Sequence, residues 1–161
     1  MSRYLVVANQ TLGGEALTRA IRERAESGSA HFHVVVPDTN PEDYEPSWVK
    51  LVATGVREDT RDAVGTDDDV ATAGRALAQR AKHRLREMID RILEAGGEAD
   101  GEIGDADPYV AVRSVLRAQD FDEVIISTMP AGVSRWLRLD LPHRVGRIFD
   151  GPVTVIEAHR P

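Results

Sequence analysis

Short apolar runs recur along the chain and are separated by longer amphipathic stretches. Runs of four to eight apolar residues bounded by turn residues are typical of strands buried in a sheet. Four such runs predict strands, and a more polar run near the middle of the chain predicts a weaker one. The predicted strands are Tyr4–Ala8, His31–Val36, Glu98–Ile103, Phe121–Ser127 and Val153–Glu157.

The stretches between these runs carry helical patterns. The clearest is Asp67–Ala95, where apolar residues recur every three or four positions until a Gly-Gly pair ends the helix. Asp107 followed by Pro108 is a typical helix opening, an N-cap residue with proline at the first helical position. The last helix is predicted over Asp140–Phe149, with Asp140 as its cap. One more helix is predicted between the first two strands.

Strands and helices therefore alternate in the order β-α-β-loop-α-β-α-β-α-β. This alternation predicts an α/β fold, in which a parallel sheet is covered by helices on both faces and joined by right-handed crossovers. Residues 1–161 are predicted to form one such domain. The polar stretch 38–66 is unusually long for a connection, and it is either a functional flap or a disordered insertion.

Charge and composition argue against several classes of protein. No run approaches the roughly 18 apolar residues of a membrane-spanning helix, so no membrane partner is expected. The formal net charge of −7 argues against non-specific nucleic-acid binding, which depends on basic charge. The sequence has no cysteine, and its first residues lack the apolar core of a signal peptide. A cytoplasmic protein without disulfides is therefore expected.

Three segments resemble the universal stress protein family. They are Tyr4–Gln10, where the first strand opens a polar turn, Gly104–Val110 (GDADPYV), with Asp-Pro before a helix, and Ser127–Val155. The resemblance covers nearly the whole chain apart from 38–66. It implies a Rossmann-like, five-stranded parallel sheet of order 3-2-1-4-5. In some members it also implies an ATP site between the ends of the first and fourth strands, where the strand order reverses.

The resemblance further implies a homodimer. In the order 3-2-1-4-5 the last strand, Val153–Glu157, lies at an edge of the sheet, and an apolar edge strand normally needs cover. In the family, two copies pair this strand antiparallel across a two-fold axis, which is an isologous interface. The expected partner is therefore a second copy of this chain, bound through residues 153–157.

The family's nucleotide-binding motif is altered in this sequence. Asn9 stands where nucleotide-binding members carry the aspartate that holds the ribose. Those members wrap the phosphates with Gly-x-x-Gly and a later Gly-Ser or Gly-Thr pair. Here Ser127 replaces the first glycine, and Pro130 or a gap replaces the second. Asp140 occupies a position of the later Gly-Ser or Gly-Thr pair. Gly132, a glycine in the loop between the two motifs, is kept. The frame of the family is kept, but most of its phosphate cradle is lost.

The candidate ligand-binding residues lie at strand ends and in the loop and helix after the fourth strand. They are Ala8, Asn9, Val36, Ser127, Thr128, Gly132, Arg135, Arg138 and Asp140. Asp140 carries most weight, because a carboxylate about 4 Å from a phosphate costs up to about 4 kcal/mol at an effective dielectric near 20. We therefore interpret Asp140 as a helix cap. Arg135 and Arg138 can bind an anion or pair with Asp140, and the pairing is favoured.

Two functions follow. The preferred one is a non-catalytic stress-response module of the universal stress protein type, which works as a homodimer through association and has no certain cofactor. The alternative is binding of an adenine nucleotide, ATP or AMP, as a small anionic ligand in the crevice. An enzyme is not expected, since no general base or metal-ligand cluster converges on the loop.

His31 and His33 share one strand face, but without a third ligand we interpret them as structural.

Overall fold

A computed structural model describes residues 1–8, 14–38, 67–128 and 135–157, and their side chains apart from those of 67–78, 128 and 135–140. Strands and helices alternate through this part of the chain. In chain order they are β1 Ser2–Ala8, α1 Glu15–Glu26, β2 Ala30–Pro37, α2 Asp67–Glu94, β3 Glu98–Gly104, α3 Pro108–Ala118, β4 Glu123–Thr128, α4 Arg135–Ile148 and β5 Val153–Glu157.

The five strands form one sheet of order β3-β2-β1-β4-β5, and every neighbouring pair is parallel. This confirms the fold class and the strand order. The chain starts in the middle with β1, runs outward through β2 and β3, and then returns to add β4 and β5 on the other side. The strand order therefore reverses between β1 and β4. In α/β sheets of this kind the crevice that binds ligands lies at the carboxyl ends of the strands at this point.

Each face of the sheet has its own apolar core. The side chains of Tyr4, Val6 and Ala8 on β1 pack with α1 and α2. The alternate ones, Leu5 and Val7, pack on the opposite face with α3 and α4. The sequence forms buried strands here because β1 is apolar on both faces, so each helical layer has a surface to cover. Full burial of one such Val or Leu side chain contributes about 1.5–3 kcal/mol.

Two helix ends follow the sequence pattern. Gly96, at φ +93°, ends α2 in the left-handed region. Its N–H donates to the carbonyl of Leu93 at 3.0 Å, and the N–H of Gly97 donates to that of Ile92 at 3.0 Å, which is a Schellman motif. At the start of α3, the Asp107 carboxylate accepts from the N–H of Tyr109 at 2.9 Å. The predicted glycine stop and Asp-Pro opening are both confirmed.

The start of the last helix differs from the prediction. Helix α4 begins at Arg135, so Asp140 lies in its second turn and does not cap it. The Asp-Leu-Pro sequence imitates an N-cap with proline in the first turn, yet the helix runs through Pro142. That proline removes one N–H donor, while the arginines and leucines before it have high helix propensity. The interpretation of Asp140 as the cap is therefore wrong.

The stretch proposed as a flap or insertion lies outside the described residues from 39 to 66. Among the helices that the structure describes, none has the length and apolar character needed to cross a bilayer.

Candidate functional site

The floor of the crevice is built by the carboxyl ends of the central strands. Ala8, the last residue of β1, is paired in register with Ser127 of β4. Both side chains are buried, and so is Val36 near the end of β2. Since alanine and serine are small, the sheet presents little side-chain bulk where the strand order reverses. The structure therefore brings three of the predicted site residues to neighbouring strand ends.

Helix α4 follows β4 in the chain. It starts at Arg135, shortly after β4 ends at Thr128. The first N–H groups of a helix have no partner within it, and with the helix dipole they favour an anion. Asp140 lies five residues into the helix, about 7–8 Å along its axis from Arg135. The helix start therefore has arginine at its first position, and the aspartate lies in the following turn.

The remaining predicted site residues are placed only in part. Asn9 and Gly132 lie outside the described residues. Thr128 is placed as the last residue of β4, and Arg135 and Arg138 as residues in the first turns of α4, by their backbone alone. Their assignment as ligand-binding residues stays a prediction.

The opposite end of the sheet carries an ion pair that the sequence analysis missed. Arg24, in the last turns of α1, donates from Nε to Oε2 of Glu123 at 2.8 Å, and a second bond from its guanidinium reaches Oε1. Thr154 of β5 donates to the same carboxylate at 2.6 Å. The network ties together α1, β4 and β5. No local signal in the sequence points to it, because Arg24 and Glu123 are 99 residues apart.

These contacts shift the ionisation of both partners. The hydrogen bond from Arg24, followed by the one from Thr154, lowers the pKa of Glu123, and burial opposes this only in part. The hydrogen bond to Glu123 correspondingly raises the pKa of Arg24. Both side chains are mostly buried, at 19% and 14% exposed. A carboxylate held ionised by a bidentate arginine is a structural anchor rather than an acid or a base for catalysis.

His31 and His33 face carboxylates on the edge strand β3. The Nδ1 of His33 lies 2.8 Å from Oδ1 of Asp100, and the Nε2 of His31 lies 3.4 Å from the same oxygen. The Nε2 of His33 is buried without a hydrogen bond, 3.6 Å from Oε1 of Glu102. Within the residues that the structure describes, no three His, Cys, Asp or Glu side chains are arranged to hold a metal ion. The histidines contact strand β3 through its acids.

No family model matches this sequence, and no curated protein matches it. Solved structures do match its fold. A universal stress protein family protein from Arabidopsis thaliana with AMP bound is 12% identical, with a TM-score of 0.59, covering 99% of this chain and 93% of its own. Universal stress protein UspA from Lactobacillus plantarum is 15% identical, with a TM-score of 0.56, covering 98% and 97%.

A third match is the universal stress protein from Archaeoglobus fulgidus in complex with dAMP. It is 15% identical, has a TM-score of 0.54, and covers 97% of this chain and 97% of its own. At such identities the likeness concerns the arrangement of strands and helices. Together with the strand order and the position of the crevice, these matches show that the chain has the fold of the universal stress proteins.

Proposed function

We propose that this protein is a non-catalytic, homodimeric member of the universal stress protein family that binds an adenine nucleotide in the crevice between β1 and β4. The observation that carries the nucleotide part is the start of α4 at Arg135, in the part of the chain that follows β4. The sequence favoured a nucleotide-free module because a carboxylate was expected at this helix start. With Asp140 in the second turn, the same estimate of the electrostatic cost falls to about half, and the alternative becomes the preferred function.

The crevice suits a ligand with a flat base and a phosphate. The side chains of Ala8 and Ser127 are small, so they leave room for a base or ribose over the strand ends. The N–H groups at the start of α4 and the positive charge of Arg135 favour the phosphate. AMP and dAMP are the ligands of two solved proteins with this fold. A monophosphate fits the altered cradle better than a triphosphate, because it needs fewer backbone contacts.

The homodimer is proposed from the edge strand β5. Among the residues that the structure describes, no strand lies beside its outer edge, and Val155 on this strand is 44% exposed. An apolar edge strand pairs readily with a second strand. Two copies related by a two-fold axis would place β5 against β5 and cover both valines. We place the protein in the cytoplasm on the basis of its lack of cysteine.

The nucleotide proposal is tested by isothermal titration calorimetry with AMP and ATP. Removing a hydrogen bond to a charged group costs about 1.5–3 kcal/mol, so Arg135→Ala should weaken binding by about tenfold or more. The matched control is Arg86→Ala, at an exposed arginine in the middle of α2, which should leave the affinity unchanged. Absence of binding at millimolar AMP and ATP would overturn the nucleotide part and leave the fold and the dimer untouched.

Asp140→Asn distinguishes the two candidate functions. If the aspartate stands clear of the ligand, this change alters the affinity by less than about threefold, because distant exposed charges are screened. A gain of tenfold or more would mean that the carboxylate faces the phosphates. The second candidate, a module that works by association without nucleotide, would then be favoured. The replacement of cradle glycine by Ser127 is the observation that supports that candidate.

A further inference from the structure

The two helical layers of the molecule carry different charge. Helices α1 and α2, on one face of the sheet, carry equal numbers of basic and acidic residues. Helices α3 and α4, on the other face, carry six arginines and one aspartate. This excess of positive charge occurs in a chain whose formal net charge is −7. One face is therefore basic while the molecule as a whole repels anions, and a local field of this kind marks a surface for a specific anionic partner.

An aromatic ring organises the centre of this face. The guanidinium carbon of Arg144, on α4, lies 3.9 Å from the ring centroid of Tyr109, and that of Arg113, on α3, lies 5.7 Å from it. Tyr109 itself packs against the apolar core below. Because one partly buried ring contacts both arginines, it holds two positive groups of neighbouring helices close to each other. Such pre-positioning lowers the conformational entropy that a bound ligand must remove.

Two further arginines extend the surface along the helices. Arg117 is exposed one turn beyond Arg113 on α3, and Arg147 is exposed one turn beyond Arg144 on α4. Arg147 donates to Nε2 of His143 at 3.2 Å. Within the described part of the chain, Arg113, Arg117 and Arg147 form no ion pair with a carboxylate. Their charge is therefore available to a partner.

The opposite layer shows the contrast. Arg24 of α1 is paired with Glu123, and His83 of α2 lies 3.3 Å from Glu87 on the next turn. The two layers therefore differ in charge balance: the acids of α1 and α2 equal their basic residues in number, whereas basic residues predominate on α3 and α4.

Aspartates limit the size of the basic surface. Asp105 and Asp107 precede α3, Asp120 follows it, and Asp150 follows α4, and all four are exposed. The 11 residues of α3 span about 16 Å. A duplex or a bilayer that covered the arginines would extend past these ends and meet negative charge. A short ligand with a few carboxylates matches both the positive centre and the negative limits.

We propose that the surface formed by Arg113, Arg117, Arg144 and Arg147 around Tyr109 is a docking site for a short acidic segment of a partner protein. The guanidinium groups of Arg113, Arg117 and Arg147 can each bind a carboxylate through two parallel hydrogen bonds, a geometry that lysine does not offer. The ring of Tyr109 provides apolar contact between the two helices. The site is separate from the nucleotide crevice and from β5, so it adds a partner class to the proposed function and does not depend on it.

The test uses the full chain and a fluorescein-labelled peptide in which glutamates alternate with alanines. Fluorescence anisotropy should show saturable binding that weakens as salt is raised, since the contacts are between charges. The charge-reversal variant Arg113→Glu/Arg117→Glu should weaken binding by about a hundredfold, because it removes two charge-assisted contacts and adds repulsion. A milder variant, Arg117→Glu at an exposed position, should weaken it by about tenfold.

The matched control is Arg80→Glu/Arg84→Glu on α2, which has the same four-residue spacing on the opposite face. It should bind the peptide within about twofold of the unchanged protein, since screening weakens charge effects over that distance. Equal losses in both double variants, or no peptide binding at millimolar concentration, would overturn the proposal. So would tighter binding of a short DNA duplex or of phosphatidylserine vesicles than of the peptide. AMP titrations on the same variants should be unchanged, which separates failure here from failure of the nucleotide proposal.

Discussion

The two edge strands of the sheet, β5 and β3, are each tied to the strand inside them by a carboxylate, but with different partners. On β5, Thr154 donates to Glu123 of β4, and Glu123 is paired with Arg24. On β3 the carboxylate belongs to the edge strand itself, where Asp100 faces histidines of β2. One anchor is mostly buried and paired with an arginine, whereas Asp100 is 59% exposed and faces imidazole rings.

The outward surfaces of the two edges differ as well. Strand β3 presents Glu98, Asp100 and Glu102 as exposed acids on one face. Strand β5 presents an apolar sequence with Val155 exposed. Charges on an edge strand oppose pairing with another strand, and an apolar edge invites it. The comparison therefore assigns two roles: β3 ends the sheet, and β5 is the edge where we propose that it continues into a second copy.

The largest expected effect is on the buried anchor. Glu123→Ala leaves Arg24 without its carboxylate in a mostly buried position, and we expect it to lower the free energy of unfolding by about 2–3 kcal/mol. The matched change on the other edge, Asp100→Ala, should cost about 1 kcal/mol or less because that carboxylate is exposed. Urea unfolding of both variants measures the difference. Equal losses would contradict the distinction between a buried and an exposed anchor.

The next effect concerns assembly. Val155→Lys introduces a positive charge at the centre of the proposed β5 interface, where two copies would bring two lysines together. We expect the dimer dissociation constant to rise by about tenfold to a hundredfold, measured by sedimentation equilibrium. Glu98→Lys, on the β3 edge, is the control and should leave the constant unchanged. A chain that is monomeric before any substitution would refute the β5 dimer directly.

The smallest expected effect is on how the stabilisation by the Glu123 ion pair depends on pH. The pKa of Glu123 is lowered in the folded state, mainly by the hydrogen bond from Arg24. The unfolded chain therefore binds this proton more readily, and the ion pair stabilises the fold above the ordinary glutamate pKa of about 4.3. As pH falls through the lower folded-state value, that contribution is lost. We expect the stability difference between the unchanged protein and Glu123→Gln to be constant from pH 7 to about 5 and to shrink towards pH 3. A difference that stays constant down to pH 3 would contradict this assignment.

The order of the elements could be predicted from the sequence because each depends on local pattern. The apolar runs, the Gly-Gly stop and the Asp107-Pro108 opening are short signals whose geometry involves neighbouring residues only. The start of α4 could not be placed, because Asp-Leu-Pro satisfies the rules for a helix opening as well as Asp107-Pro108 does. Whether the helix continues backwards through Arg135 depends on how it packs on the sheet, and the sequence pattern does not contain that information.

The contacts between distant residues could not be predicted from the sequence, for a different reason. Arg24 is one of three arginines in α1, and nothing distinguishes it from Arg19 or Arg22 until β4 is placed beside the helix. The same holds for the arginines around Tyr109, which look like ordinary solvated charges along each helix. Their unusual feature, an excess of basic over acidic residues on one helical layer, becomes visible only once the helices are assigned to the two faces of the sheet.

The alternation of β1 has a consequence for how the molecule melts. Three of its side chains enter one apolar layer and two enter the other, so this strand belongs to both halves of the protein. Neither half can lose its packing without withdrawing this shared strand from the other. Heat or denaturant should therefore unfold the described domain in one cooperative step, with helical and aromatic signals disappearing together.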